Sequence, residues 1–172
     1  MIGEYPESDR RRGRDRSGTG LLSILFSPLV GRYTVTDIPE LIPLIKKNVS
    51  TNIQSTSASN IVAQNLDWTA HQSASPAVRA KAFSFDDIDI LLVVDCVYHP
   101  SLVGPLVDTI HHLTTPGRTT VVVVVELRAE DVVREFLETW LRSDARWQIW
   151  SVGEQRLDSA YALWVGRLGR GA

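Results

Sequence analysis

The sequence predicts an α/β fold: a doubly wound, mostly parallel sheet that ends in an antiparallel hairpin. Three observations predict it. A polar lead-in at Asp87, Ile88 and Asp89 passes into the apolar run of residues 90–94, which ends at Asp95 with Tyr98 three positions on. Residues 119–127, TTVVVVVEL, form the strongest strand signal in the chain. Apolar runs of this length between turn residues read as strands buried on both faces of a parallel sheet. Finally, strand and helix patterns alternate until residues 147–152 and 161–166, which have only a polar connection between them and so pair antiparallel.

Composition narrows the class. A chain of 172 residues is one domain's worth and can bury a core. The net charge of −2 exerts no general pull toward nucleic acid or an anionic membrane. No apolar run is long enough to span a bilayer, and no apolar signal-peptide core follows the first arginines. A single cysteine, Cys96, precludes an internal disulfide, and with the four histidines it shows no metal-ligand spacing. A reducing, intracellular address is the expectation.

Residues 1–16 are crowded with Arg10, Arg11, Arg12, Arg14 and Arg16 against Glu4, Glu7, Asp9 and Asp15. Such a stretch reads as a solvated tail, with an arginine arm for phosphate or RNA as the sharper alternative. At Ser17-Gly18-Thr19-Gly20 the texture changes, and residues 21–26 have the spacing of a buried helix. Glycines at such a turn let backbone N–H groups approach a ligand, although a plain tight turn would also use them. Pro28 and Gly31 stop the helix.

Residues 32–37 form a β-branched strand closing on Asp37, and Pro39 is expected as the first residue of the next helix. Asp37 suits a nucleoside's ribose hydroxyls, or a helix N-cap, or both. Residues 60–68 read as a third strand ending in Asp67 and Trp68. Trp68 either packs in a core or covers an adenine ring. Residues 69–81 read as a flexible loop.

Beyond Asp95, a helix from Ser101 carries Leu102, Val103, Leu106, Val107 and Ile110 on one side, and His111 and His112 read as surface residues near its end. Residues 129–142 form an amphipathic helix with Glu130 and Asp131 in its first turn. In open α/β sheets, ligands bind beyond the carboxyl ends of the strands, where Asp95 and Tyr98 fall.

Four motifs in this order, SGTGLLSIL, VTDIPELIPLIKKN, the LDW of residues 66–68 and VVDCVYHPSLVGPLVDTI, together with the tail LDSAYALWVG, resemble the Rossmann-like, seven-stranded S-adenosylmethionine-dependent methyltransferases. Within that class the chain is similar to the Asp-x-x-Tyr group of protein-lysine methyltransferases, the methyltransferase-like 21 relatives. It looks most like the fungal enzymes that methylate translation elongation factor 1A. The resemblance implies S-adenosylmethionine as cofactor, with Ser17, Gly18 and Gly20 at its methionine end. It implies Asp37 on the ribose, Asp67 and Trp68 at the adenine, and Asp95 and Tyr98 beside the transferred methyl and the incoming lysine. It further implies a cytoplasmic, monomeric protein acting on a protein substrate, elongation factor 1A, with no direct nucleic-acid or membrane partner and no metal.

The chain departs from the family at its start. Where relatives place an acid and a further glycine on a hydrophobic strand, this sequence has Arg14-Asp15-Arg16. Residues 17–172 are therefore expected to form the methyltransferase domain without a clear first strand, and residues 1–16 to be foreign to it. Two other classes remain open: a catalytically impaired methyltransferase-like interaction module, and a nucleotide- or dinucleotide-binding α/β domain. Asp-x-x-Tyr and the terminal hairpin argue against the second.

Overall fold

A computed structural model of the chain describes residues 20–52, 60–85, 87–153 and 160–171. The chain divides into two units, Met1–Leu66 and Asp67–Ala172. The tail expected over residues 1–16, and the position of the first strand, lie outside the described residues.

The first unit runs α1 (Leu21–Phe26), a 3-10 turn (Ser27–Leu29), β1 (Tyr33–Asp37), α2 (Ile42–Asn52) and β2 (Ile61–Asn65). β1 and β2 pair in parallel, with Val35 opposite Ala63 and Asp37 opposite Asn65, and α2 is the crossover between them. The Leu66 amide continues the ladder by donating to the Asp37 carbonyl at 2.9 Å. Ile42, Ile45 and Val49 recur at helical spacing and bury one face of α2 against Val35, with Tyr33, Ile61 and Ala63 around them.

Two expectations are corrected in this unit. α1 is not a buried helix: Ser23 faces inward, its hydroxyl donating to the Gly20 carbonyl at 2.6 Å, while Leu21 and Leu25 share the exposed side. Apolar periodicity identified a stripe but not the direction it faces. Pro39 does not open α2, which begins at Ile42 after a turn closed by Leu41 N–H donating to the Ile38 carbonyl.

The second unit contains α3 (Trp68–Ser73), α4 (Pro76–Ala82), β3 (Ile90–Val94), α5 (Pro100–Leu113), β4 (Thr120–Glu126), α6 (Glu130–Ser143), β5 (Trp147–Val152) and β6 (Tyr161–Leu168). Its sheet has the order β3-β4-β6-β5, parallel between β3 and β4 and antiparallel in the other two pairings. The parallel strand pairs, each bridged by a helix, and the antiparallel hairpin at the end confirm the predicted class. Val121, Val123 and Val125 are wholly buried and alternate with half-buried Val122 and Val124, so β4 is central, as the valine run predicts. They meet Val103, Leu106, Val107 and Ile110 of α5 and Val132, Val133, Phe136 and Trp140 of α6 in one core.

β3 is less buried than its apolar run implies. Val93 is buried, but Leu91, Leu92 and Val94 are half-buried and Ile90 is exposed. Among the described residues β3 has a strand on one side only, so the wall on its other side is not supplied there.

Residues 69–81 are not a loop but most of two helices. Asp67 caps α3, and Ser75 with Pro76 opens α4 through a hydroxyl that accepts from Val78 N–H. The third strand accordingly ends at Asn65, and Asp67 and Trp68 belong to the start of α3. His111 is half-buried, its ring set edge-on to Trp147 at 6.3 Å, so it is not a surface residue; His112 is exposed.

Candidate functional site

In the first unit, Gly20 precedes α1 with φ 82°, a conformation that L side chains rarely adopt. A Cβ there would also lie 3.3 Å from Ile45 Cγ2, a tight contact, so the turn calls for glycine and the packing on α2 leaves little room beside it. Ser17 and Gly18 lie outside the described residues. Asp37 sits at the carboxyl end of β1, 2% exposed, with its Oδ1 accepting from the Ile38 amide at 2.8 Å. It does not cap α2, which starts five residues later. A buried carboxylate at a strand end is the acceptor that ribose hydroxyls would use.

In the second unit, Asp67 Oδ1 accepts from Thr69 N–H at 2.9 Å, Ala70 N–H at 3.1 Å and the Thr69 hydroxyl at 2.5 Å. These bonds supply partners for two of the otherwise unpaired amides of the first helical turn. Trp68, next in sequence, is half-buried and packs against the core that includes Cys96 and Val97. The carboxylate therefore has a structural duty, and the indole has a packing one.

Asp95 follows the last residue of β3. Its amide donates to the Val124 carbonyl at 2.7 Å, which extends the ladder past the strand, while its φ of 53° turns the chain sharply out of the sheet. Asp95 is the sole non-glycine residue with positive φ among the described residues, and such positions cluster at sites where geometry matters more than backbone comfort. Tyr98 lies half-buried in the segment that leads to His99, the cap of α5.

Sequence reasoning missed two further residues at this rim. Arg128, just beyond β4, pairs with Glu126 at the end of that strand and lies 3.5 Å from Asp95 Oδ2. The hydrogen bond from Arg128 lowers the Glu126 carboxyl below its ordinary pKa, and the same bond, with the nearby Asp95 charge, holds the guanidinium more firmly protonated. The signal was present: a charged pair at the end of the central strand and just beyond it obeys the same strand-end rule that singled out Asp95.

A second polar group lies at α3 and α5. His71 is wholly buried, with Nδ1 3.3 Å from Asp108 Oδ2 and 3.3 Å from the Thr109 hydroxyl, and Asp108 Oδ2 is 3.0 Å from Arg79 Nη1. No group of three or more potential metal ligands occurs among the described residues, and no described helix is long and apolar enough to cross a membrane.

Comparison with known proteins adds the following. The sequence profile of the lysine methyltransferase family matches residues 16–142. The chain is 33% identical over 122 residues to the diaminohydroxyphosphoribosylamino-pyrimidine deaminase of Schizosaccharomyces pombe, covering 70% of this chain and 27% of that protein. It is 31% identical over 122 residues to EEF1A lysine methyltransferase 3 of Xenopus tropicalis, covering 71% of this chain and 49% of that one. The chain thus spans half or less of the length of these relatives. Its fold is similar to that of a SAM-dependent O-methyltransferase from Thermotoga maritima, with a TM-score of 0.55, 15% identity and coverage of 90% of this chain and 58% of that one. The match to the family profile covers most of the sequence and includes Gly20, Asp37, Asp67, Trp68, Asp95 and Tyr98. The chain belongs to the lysine methyltransferase family.

Proposed function

We propose that this protein is an S-adenosylmethionine-dependent protein-lysine N-methyltransferase that acts on translation elongation factor 1A. The observation that carries the reading is Asp95, a carboxylate set by an unusual backbone turn at the carboxyl end of β3, in a chain of the lysine methyltransferase family. The substrate assignment is supported by the similarity to EEF1A lysine methyltransferase 3.

The residues fit the cofactor's chemistry. In the first unit, Asp37 offers a buried carboxylate for two ribose hydroxyls, and Gly20 removes side-chain bulk from the turn before α1. In the second unit, Asp67 and Trp68 are the adenine contacts, one by hydrogen bonding and the other by covering the ring. When bound, the cofactor supplies a methyl group on a positively charged sulfur.

Lysine must reach that methyl as a neutral amine, because the nitrogen lone pair forms the new N–C bond as the C–S bond breaks. A free lysine has a pKa of about 10.4, so a proton leaves before the attack, to solvent. Asp95 and Tyr98 hold and orient the amine and exclude other approaches, which is where the protein's share of the rate enhancement arises. The protein works in the cytoplasm as a monomer, with a protein substrate and neither nucleic acid nor membrane as partner.

Two measurements test this reading together. Calorimetric titration of the purified chain with S-adenosylmethionine should show saturable heat. Incubation with labelled cofactor and purified elongation factor 1A should label a lysine in the wild type and not in Asp95→Ala. A folded chain that neither binds the cofactor nor labels the factor sinks the proposal.

A further inference from the structure

Beyond the strand-end aspartate itself, and resting on the function just proposed, we infer that Arg128 is a positioning residue that balances the Asp95 and Glu126 carboxylates so that lysine arrives uncharged. The three groups come from the ends of adjacent parallel strands. Asp95 follows β3, Glu126 is the last residue of β4, and Arg128 comes two residues later in a turn closed by its own amide donating to the Glu126 carbonyl at 2.8 Å. The guanidinium pairs with Glu126 and stands 3.5 Å from Asp95 Oδ2. Tyr161, at the start of β6, is the other titratable group whose charge bears on Arg128. The neighbouring backbone is fixed, since Leu127 N–H donates to the Ala160 carbonyl at 2.7 Å.

The electrostatic consequence has a definite sign. Two carboxylates alone would stabilise an incoming ammonium, raise the bound lysine's pKa and hold it in its unreactive form. A guanidinium between them cancels one of the two charges and lowers that pKa. At a spacing of several ångströms in largely aqueous surroundings, one unit charge moves the pKa by roughly half a unit. The arginine side chain is 58% exposed, so its effect is of that modest size and not larger.

The test is the pH profile of methyl transfer by the full chain and three variants. Arg128→Met should move the rising limb of the rate to higher pH by roughly half a unit and lower kcat about threefold near neutrality, with KM little changed. Arg128→Lys, which keeps the charge, should leave the limb in place. Glu126→Gln removes a carboxylate and should move it to lower pH. General loosening of the rim would not produce shifts of opposite sign. An active wild type whose limb is unmoved in Arg128→Met and Glu126→Gln overturns the role of Arg128 alone. An inactive wild type overturns the functional reading, and this inference with it.

Discussion

The indole of Trp140 occupies the space where a side chain on Gly166 would begin. A Cβ built at Gly166 would collide with Trp140 Cζ2 and lie 2.7 Å from Cη2. Trp140 is wholly buried on α6 and set edge-on to Trp147 at 5.4 Å, so relieving the clash would require the packed indole to move. Gly166→Ala should therefore destabilise the second unit by about 1–3 kcal/mol through overpacking. Urea denaturation followed by tryptophan fluorescence measures it, and an unchanged midpoint would show that α6 can shift.

His71 gives the fold a pH dependence. Burial lowers its pKa from the ordinary 6.5, the neighbouring His112 adds to the effect, and Asp108 opposes it. The unfolded chain then binds a proton near pH 6.5 that the folded chain does not, so stability is present above that value and declines as pH falls below it. Thermal midpoints measured from about pH 8 to about pH 5 should fall, and His71→Phe should flatten the part of the curve below neutrality.

Asp67 caps α3, and substitutions can separate that duty from the cofactor contact proposed for it. Asp67→Ala removes the α3 cap and should cost about 1 kcal/mol. Asp67→Ser keeps a capping oxygen and should retain most of that stability. Both lose the carboxylate, so both should bind S-adenosylmethionine more weakly in calorimetry. If Asp67→Ser binds as tightly as the wild type, the residue is a cap and nothing more.

Asp95 combines an uncomfortable backbone with a proposed role. Replacing it by glycine relieves the positive φ, whereas alanine keeps the strain. Asp95→Gly should therefore be more stable than Asp95→Ala by about 1 kcal/mol, while neither transfers methyl groups. A thermal-shift comparison beside the methylation assay would reveal this divergence of stability from activity. Equal midpoints would mean that the turn is not strained.

These contrasts mark what the residues disclose in advance. The strand at 120–126 and the helix over 130–143 were legible because a valine run and a 3.6-residue apolar stripe each have one common structural solution. Asp95 was legible because it ends such a run. The helices at 68–73 and 76–82 were not, since each is short and a stretch rich in Ala and Ser, with Pro76 within it, is as compatible with a loop. What makes them helical is local capping by Asp67 and Ser75, together with tertiary burial of His71. The outward face of α1 was missed for a related reason: a stripe of leucines does not disclose which surface it will meet. Arg128 was overlooked because its importance lies in a contact with Asp95, thirty-three positions away.

The Asp95 amide is bonded to Val124, inside the same ladder as the wholly buried valines of β4. Its hydrogen should therefore exchange with solvent deuterium on the timescale of sheet opening, although its carboxylate is partly exposed at the rim. One residue would thus join a side chain that faces solvent to an amide that records how seldom the sheet beneath it comes apart.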